Sequence, residues 1–179
     1  MSDDNLKIEI DQLKKYIFSD DQRLVKAARE RLGVIGGDEV VDFLIPLLES
    51  DDPGLRDTAA QALSDIKDSR AVEPLIAAIL KDVGNEDNDT LVFALEFLDC
   101  SLKLKEIFQI LLYGAYMSKL SAYNILSDQV FDFSEQDVED IKAMWEDCKA
   151  HPEKCPDYDR EDVRIMIQDS VDGFAGHVS

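Results

Sequence analysis

The sequence has few residues with chemical reach, and their spacing limits what they can do. Cys148, His151 and Cys155 stand within eight residues of one another. A thiolate and an imidazole so placed are metal ligands by type, but structural zinc takes four ligands in closer pairs, and here the fourth is missing. The spacing instead predicts Cys148 packed on a helix, with His151 and Cys155 in a loop and no metal. With Cys100 the thiols number three, so a fully paired disulfide framework is excluded. His177, the second histidine, lies in a terminal tail without an acid–base partner at a useful spacing. Gly33, Gly36 and Gly37 end a helical pattern and lack the lysine of a phosphate loop, and no Gly-x-Ser-x-Gly turn occurs. Carboxylates are abundant, but acids on helix faces are solvated far more often than catalytic. These residues predict no catalytic centre and no cofactor.

The elements that would position these residues are helical. The 179 residues suffice for a buried core, and 45% apolar with 32% charged residues predicts a folded, soluble chain. Met1 to Asn5 is acidic and carries no signal-peptide pattern, and the longest apolar stretch, Ile107–Met117, is too short to span a bilayer. A cytoplasmic location is the expectation. Thirty-nine acids against nineteen bases give a net charge of −20, a field that repels nucleic acid and anionic lipid and steers basic partners inward. The charge is uneven: residues 1–81 carry 11 bases and 17 acids, whereas 82–179 carry 8 and 22.

Asp20-Asp21-Gln22-Arg23-Leu24 aligns with Asp51-Asp52-Pro53-Gly54-Leu55 at a shift of 31 residues, and the register continues. Ala28 falls on Ala59, Leu32 on Leu63, Ile35 on Ile66, Val41 on Val72, and Leu44-Ile45 on Leu75-Ile76. Each unit holds two apolar stripes at helical spacing, separated by Gly36-Gly37-Asp38 or Lys67-Asp68-Ser69. Asp51 or Asp52 can cap a helix whose opening turn holds Pro53, and Pro74 can open another. A third unit follows an insertion at Asn85–Asp89, with Ala94, Leu98 and Ile107 in register at a shift of 35. A fourth keeps Ala122 and Leu126, after which Ser134 caps a helix reaching about Cys148.

The segment Asp51–Leu63 followed by Asp68–Ile76 resembles the HEAT-repeat family, especially its short bacterial form, which phycobiliprotein chromophore lyases share. The resemblance implies an all-α chain: a right-handed α-solenoid of about four HEAT-like hairpins with capping helices at both ends. Read this way, 1–179 is a single domain. A cap helix occupies 1–18, two regular repeats 19–81, two degenerate repeats 82–148, and a loop, last helix and tail 149–179. Di-iron hydroxylases of this fold use His–Glu pairs that are absent here, and helical-repeat DNA glycosylases are basic where they grip DNA.

Register predicts outward residues on the second helix of each unit: Asp42, Phe43, Pro46 and Glu49, then Glu73, Ala77 and Lys81. The equivalent positions in the third unit are Phe108, Gln109, Leu112 and Tyr116, with Tyr113 beside them, an aromatic cluster of the kind that anchors interfaces. The alternative is that the C-terminal helices cover this face. The long fourth-unit helix adds Glu135, Asp137, Glu139, Asp140, Glu146 and Asp147 around a core stripe of Val138, Ile141, Trp145 and Cys148. Acids beside aromatics suit a basic protein partner. The sequence therefore predicts a non-enzymatic binding module, monomeric when free, that masks a basic protein such as a toxin nuclease. A generic scaffold and a chromophore-lyase-type accessory stay open beside it.

Overall fold

The computed structural model describes residues 3–177, and among these the only regular structure is helical. The chain divides into two compact units, the first ending at Ala78 and the second beginning at Ile79; each is described by itself.

The first unit holds α1 (Asp3–Tyr16), α2 (Gln22–Ile35), α3 (Asp38–Leu44) and α4 (Pro53–Ile66). The part of the expected cap helix at residues 1 and 2 lies outside the described residues. Asp21 caps α2 by accepting from the Arg23 N–H at 2.9 Å. Asp52 caps α4 by accepting from the Gly54 N–H at 2.8 Å, with Pro53 in the opening turn. The turn after α2 needs two left-handed residues, supplied by Gly36 (φ +59°) and Gly37 (φ +80°).

The helices α2 and α4 occupy equivalent positions at the 31-residue shift and pack on each other, the stacking expected of a repeat array. Ala28 and Leu32 of α2 and Ala59, Ala62 and Leu63 of α4 are fully buried. Each buried leucine contributes on the order of 1.5–3 kcal/mol. Gly33 makes the approach close, since a Cβ there would stand 2.9 Å from the Asp65 Cβ. The second helix of the first repeat stops at Leu44 and tightens into a 3-10 turn over Ile45–Glu49. Pro46, lacking an N–H, cannot continue the α-helical ladder.

Helix α5 (Val72–Lys81) carries the chain from one unit into the other. The second unit contains α6 (Asp89–Leu95), α7 (Leu104–Tyr113), α8 (Tyr116–Asp128), α9 (Glu135–Ala150) and α10 (Glu161–Ala175). Equivalent helices again stack, α6 on α8 and α7 on α9, and α10 packs against both α8 and α9. Six of the ten residues of α7 are buried, so its apolar face is wide, while Lys105, Glu106 and Gln109 keep the opposite side polar. Gly114 turns the corner between α7 and α8; a Cβ there would meet the Ile110 carbonyl oxygen at 2.5 Å. Ser134 and Asp137 form a reciprocal capping box that starts α9. The all-α class and repeat construction agree with the sequence reading. No helix among the described residues is long and apolar enough to cross a membrane.

Candidate protein-interaction surface

The acids of α9 lie opposite its buried stripe of Val138, Ile141, Trp145 and Cys148. Glu135, Glu139 and Glu146 are exposed, while Asp140 and Asp147 are half-exposed. Gln136 and Lys105 hydrogen-bond Asp140, at 2.9 and 3.3 Å, and hold its pKa below the ordinary carboxylate range. Lys154 at 3.2 Å and His151 at 2.9 Å do the same for Asp147. These acids stay ionised well below neutral pH.

The basic residues of 82–179 are all occupied by partners within the same segment. Lys103 pairs with Glu106, Lys105 with Asp137 and Asp140, Lys142 with Glu139, Lys149 with Glu146, Lys154 with Asp147, and Arg160 with Asp162. Arg164 donates to the carbonyl oxygens of Tyr158 and Asp159, and Lys119 to those of Leu111 and Leu112. These are the eight bases of 82–179 against 22 acids. Each exposed pair is worth little energetically, but together they leave a negative field facing solvent. Glu135, Glu153, Asp159 and Glu161 are among the exposed carboxylates that carry it.

The aromatic cluster expected on the outside of α7 is corrected by the structure. Phe108 and Leu112 are 0% exposed. Helix α9 packs on α7, and the Phe108 ring meets Phe174 of α10 edge-on at 5.8 Å. The expectation failed because repeat register supplies one partner for each helix face, whereas the C-terminal helices bury a second face of α7. Tyr113 is half-buried, and burial, with its contact to the Cys148 thiol, pushes the phenol up to about 12.

Tyr116 begins α8 rather than continuing α7. Its hydroxyl donates to Asp162 at 2.9 Å and its ring lies under the Arg160 guanidinium at 3.9 Å. Arg160, helped by Tyr116, holds Asp162 at about 2. In the first unit Phe43 is half-buried, with the Phe18 ring at 6.1 Å and the Lys14 ammonium at 5.5 Å.

Exposed aromatics stand instead at Phe93 and Phe97, which are 51% and 47% exposed and meet edge-on at 5.2 Å. Their i,i+4 spacing, opposite the buried Leu91, Ala94, Leu95 and Leu98, was the available sign. A recess of about 550 Å³ between α8, residues 129–133 and α10 is lined by Tyr123, Phe131, Phe133 and Phe174, with Asp169 and His177.

Cys148 is buried on α9, Cys155 is buried after the 3-10 turn at Pro152–Lys154, and His151 is exposed. Among the described residues no group of three or more His, Cys, Asp or Glu side chains could hold a metal ion.

No curated protein matches this chain. Residues 10–96 match the family model of HEAT repeats, which are in general scaffolds for protein interaction. The matched segment includes the α2–α4 stacking and its in-register alanines and leucines, so residues 10–96 belong to the HEAT-repeat family.

Proposed function

We propose that this protein is a binding module for a basic protein. The observation that carries the reading is the charge balance of 82–179, where eight bases are satisfied internally and the acidic surplus faces solvent. Such a field raises the encounter rate with a cationic surface, and apolar anchors then set the residence time. Phe93 and Phe97 supply exposed anchors of the kind found at interface centres. Glu135, Glu139 and Glu146, with Asp140, Asp147 and the half-buried Tyr116, complete the proposed contact set within the second unit. In its most specific form the module is an immunity protein that covers the anionic-substrate groove of a basic toxin such as a nuclease.

The test is affinity capture from source-cell extract at low and high salt, using the wild type and the triple variant Glu135→Lys/Glu139→Lys/Glu146→Lys. The proposal expects a basic protein, identified by mass spectrometry, that salt releases and the variant fails to hold. Equal capture by wild type and variant, or capture only of acidic proteins, contradicts it. Inhibition of a captured nuclease by the wild type distinguishes the immunity form from a scaffold.

A further inference from the structure

Helix α7 ends at Tyr113, and a helix end leaves carbonyl oxygens without intrahelical donors. Lys119 supplies donors from inside: its Nζ donates to the Leu111 carbonyl at 3.0 Å and to the Leu112 carbonyl at 2.6 Å. The side chain is 0% exposed. An ammonium so far from water must be offset electrostatically, and the negative end of α7 does part of this. Burial lowers its pKa, while the Cys155 and Cys148 thiols and the Asp157 carboxylate oppose that shift.

The thiols are placed by the same carbonyl. Cys155 Sγ donates to the Leu112 oxygen at 3.0 Å, so sulfur and ammonium share one acceptor. Cys155 and Cys148 are within hydrogen-bonding reach of each other, and Tyr113 is within hydrogen-bonding reach of Cys148 as well. These hydrogen bonds, with Lys119 assisting, bring Cys148 down to about 7 despite its burial, while the same Cys148 contact and burial push Cys155 up. Hydrogen bonding thus favours the ionised form at Cys148, whereas burial and the Cys148 contact favour the thiol at Cys155. Cys100 provides the contrast within the same unit. It is buried with no second thiol in contact, and burial pushes it up to about 12.

We propose that Cys148 and Cys155 are a reversible dithiol–disulfide pair whose oxidant is a small hydroperoxide. The Cys148 thiolate attacks one peroxide oxygen, the O–O bond breaks, and hydroxide leaves to take up a proton as water. Cys148 is then a sulfenic acid. The Cys155 sulfur attacks it, an S–S bond forms and the S–O bond breaks, and the departing hydroxide leaves as water with the Cys155 proton. Two thiols have lost two electrons and two protons, and one hydrogen peroxide has become two waters. The segment 151–160 between α9 and α10 is mostly exposed and holds only a 3-10 turn, so local opening admits an oxidant of this size. The inference does not rest on the partner reading.

The test exposes the full-length protein to hydrogen peroxide, alkylates the remaining thiols, and maps the products by intact mass and peptide mass spectrometry. The expected product is a monomer lighter by two hydrogens, with Cys148 linked to Cys155, Cys100 still alkylated, and both thiols recovered with dithiothreitol. Cys148 is expected to react at least about tenfold faster than Cys100, as thiolate content dictates. Cys155→Ser is expected to halt the reaction at a Cys148 sulfenic acid that dimedone traps. Should Cys148 and Cys155 stay alkylable at doses that oxidise Cys100, or should Cys148 pass to sulfinic acid without a disulfide in the wild type, the proposal is overturned.

Discussion

Lys119 and Leu112 are joined by a 2.6 Å hydrogen bond from a fully buried ammonium to the carbonyl oxygen near the end of α7. The bond explains how a lysine occupies the core of the second unit: it caps a helix terminus that α8, α9 and the segment after α9 enclose.

Replacing Lys119 by methionine keeps the volume but removes the donor for two carbonyl oxygens. Relief of the lysine's desolvation opposes this loss without cancelling it, because the carbonyls stay buried. We expect Lys119→Met to destabilise the protein by about 1–3 kcal/mol, measured by urea unfolding. A variant more stable than wild type would show that the ammonium is a net burden.

The thiols give stability a pH dependence whose sign is defined. Cys148 falls to about 7 in the folded protein from an ordinary 9.0, so between these values the unfolded chain binds more protons there. Its contribution is fully present above 9 and is lost as pH falls through about 7. Lys119, also lowered, acts in the same direction. Cys155, Cys100 and Tyr113 are raised, so their contributions are lost as pH climbs beyond their ordinary values. Unfolding free energy should therefore rise from pH 7 to 9 and fall above it. Cys148→Ser should flatten the rise, a comparison that denaturant curves at several pH values provide.

Phe108 and Phe93 separate core from surface. Phe108→Ala empties a fully enclosed site and should cost about 3–5 kcal/mol. Phe93 is half exposed, so Phe93→Ala should cost well under half as much while weakening partner capture. Equal costs by thermal or urea unfolding would contradict this division.

Gly33→Ala tests the α2–α4 approach. Helix propensity alone favours alanine by about 1 kcal/mol, yet the new Cβ would stand 2.9 Å from the Asp65 Cβ. We expect net destabilisation in urea; a stabilised variant would mean that the helices separate at little cost.

The regular repeats were legible because their alanines and leucines recur in register, and Ala28, Ala59, Leu32 and Leu63 are all buried. The cap at Ser134 was legible for the same local reason, and that of α4 was narrowed to Asp51 or Asp52, of which the structure uses Asp52. Burial of Phe108 and Leu112 stood only as the alternative reading, since it depends on α9 and α10 closing over α7, a non-local event that α7 alone does not decide. Lys119 was hidden by the composition of α8, whose buried face includes Ser118, Lys119 and Ser121 while Met117 is exposed. The contact of Cys148 with Cys155 depends on the path of the chain through the 3-10 turn at Pro152–Lys154, which seven-residue spacing does not disclose.

The central claim is that the acidic surface selects a basic protein, and calorimetric titration of the captured partner tests it most directly. The wild type and the Glu135→Lys/Glu139→Lys/Glu146→Lys variant would be titrated at low and high salt. The account predicts that wild-type affinity falls at least about tenfold with added salt and that the variant binds weakly at both concentrations. An affinity indifferent to both salt and charge reversal would contradict it.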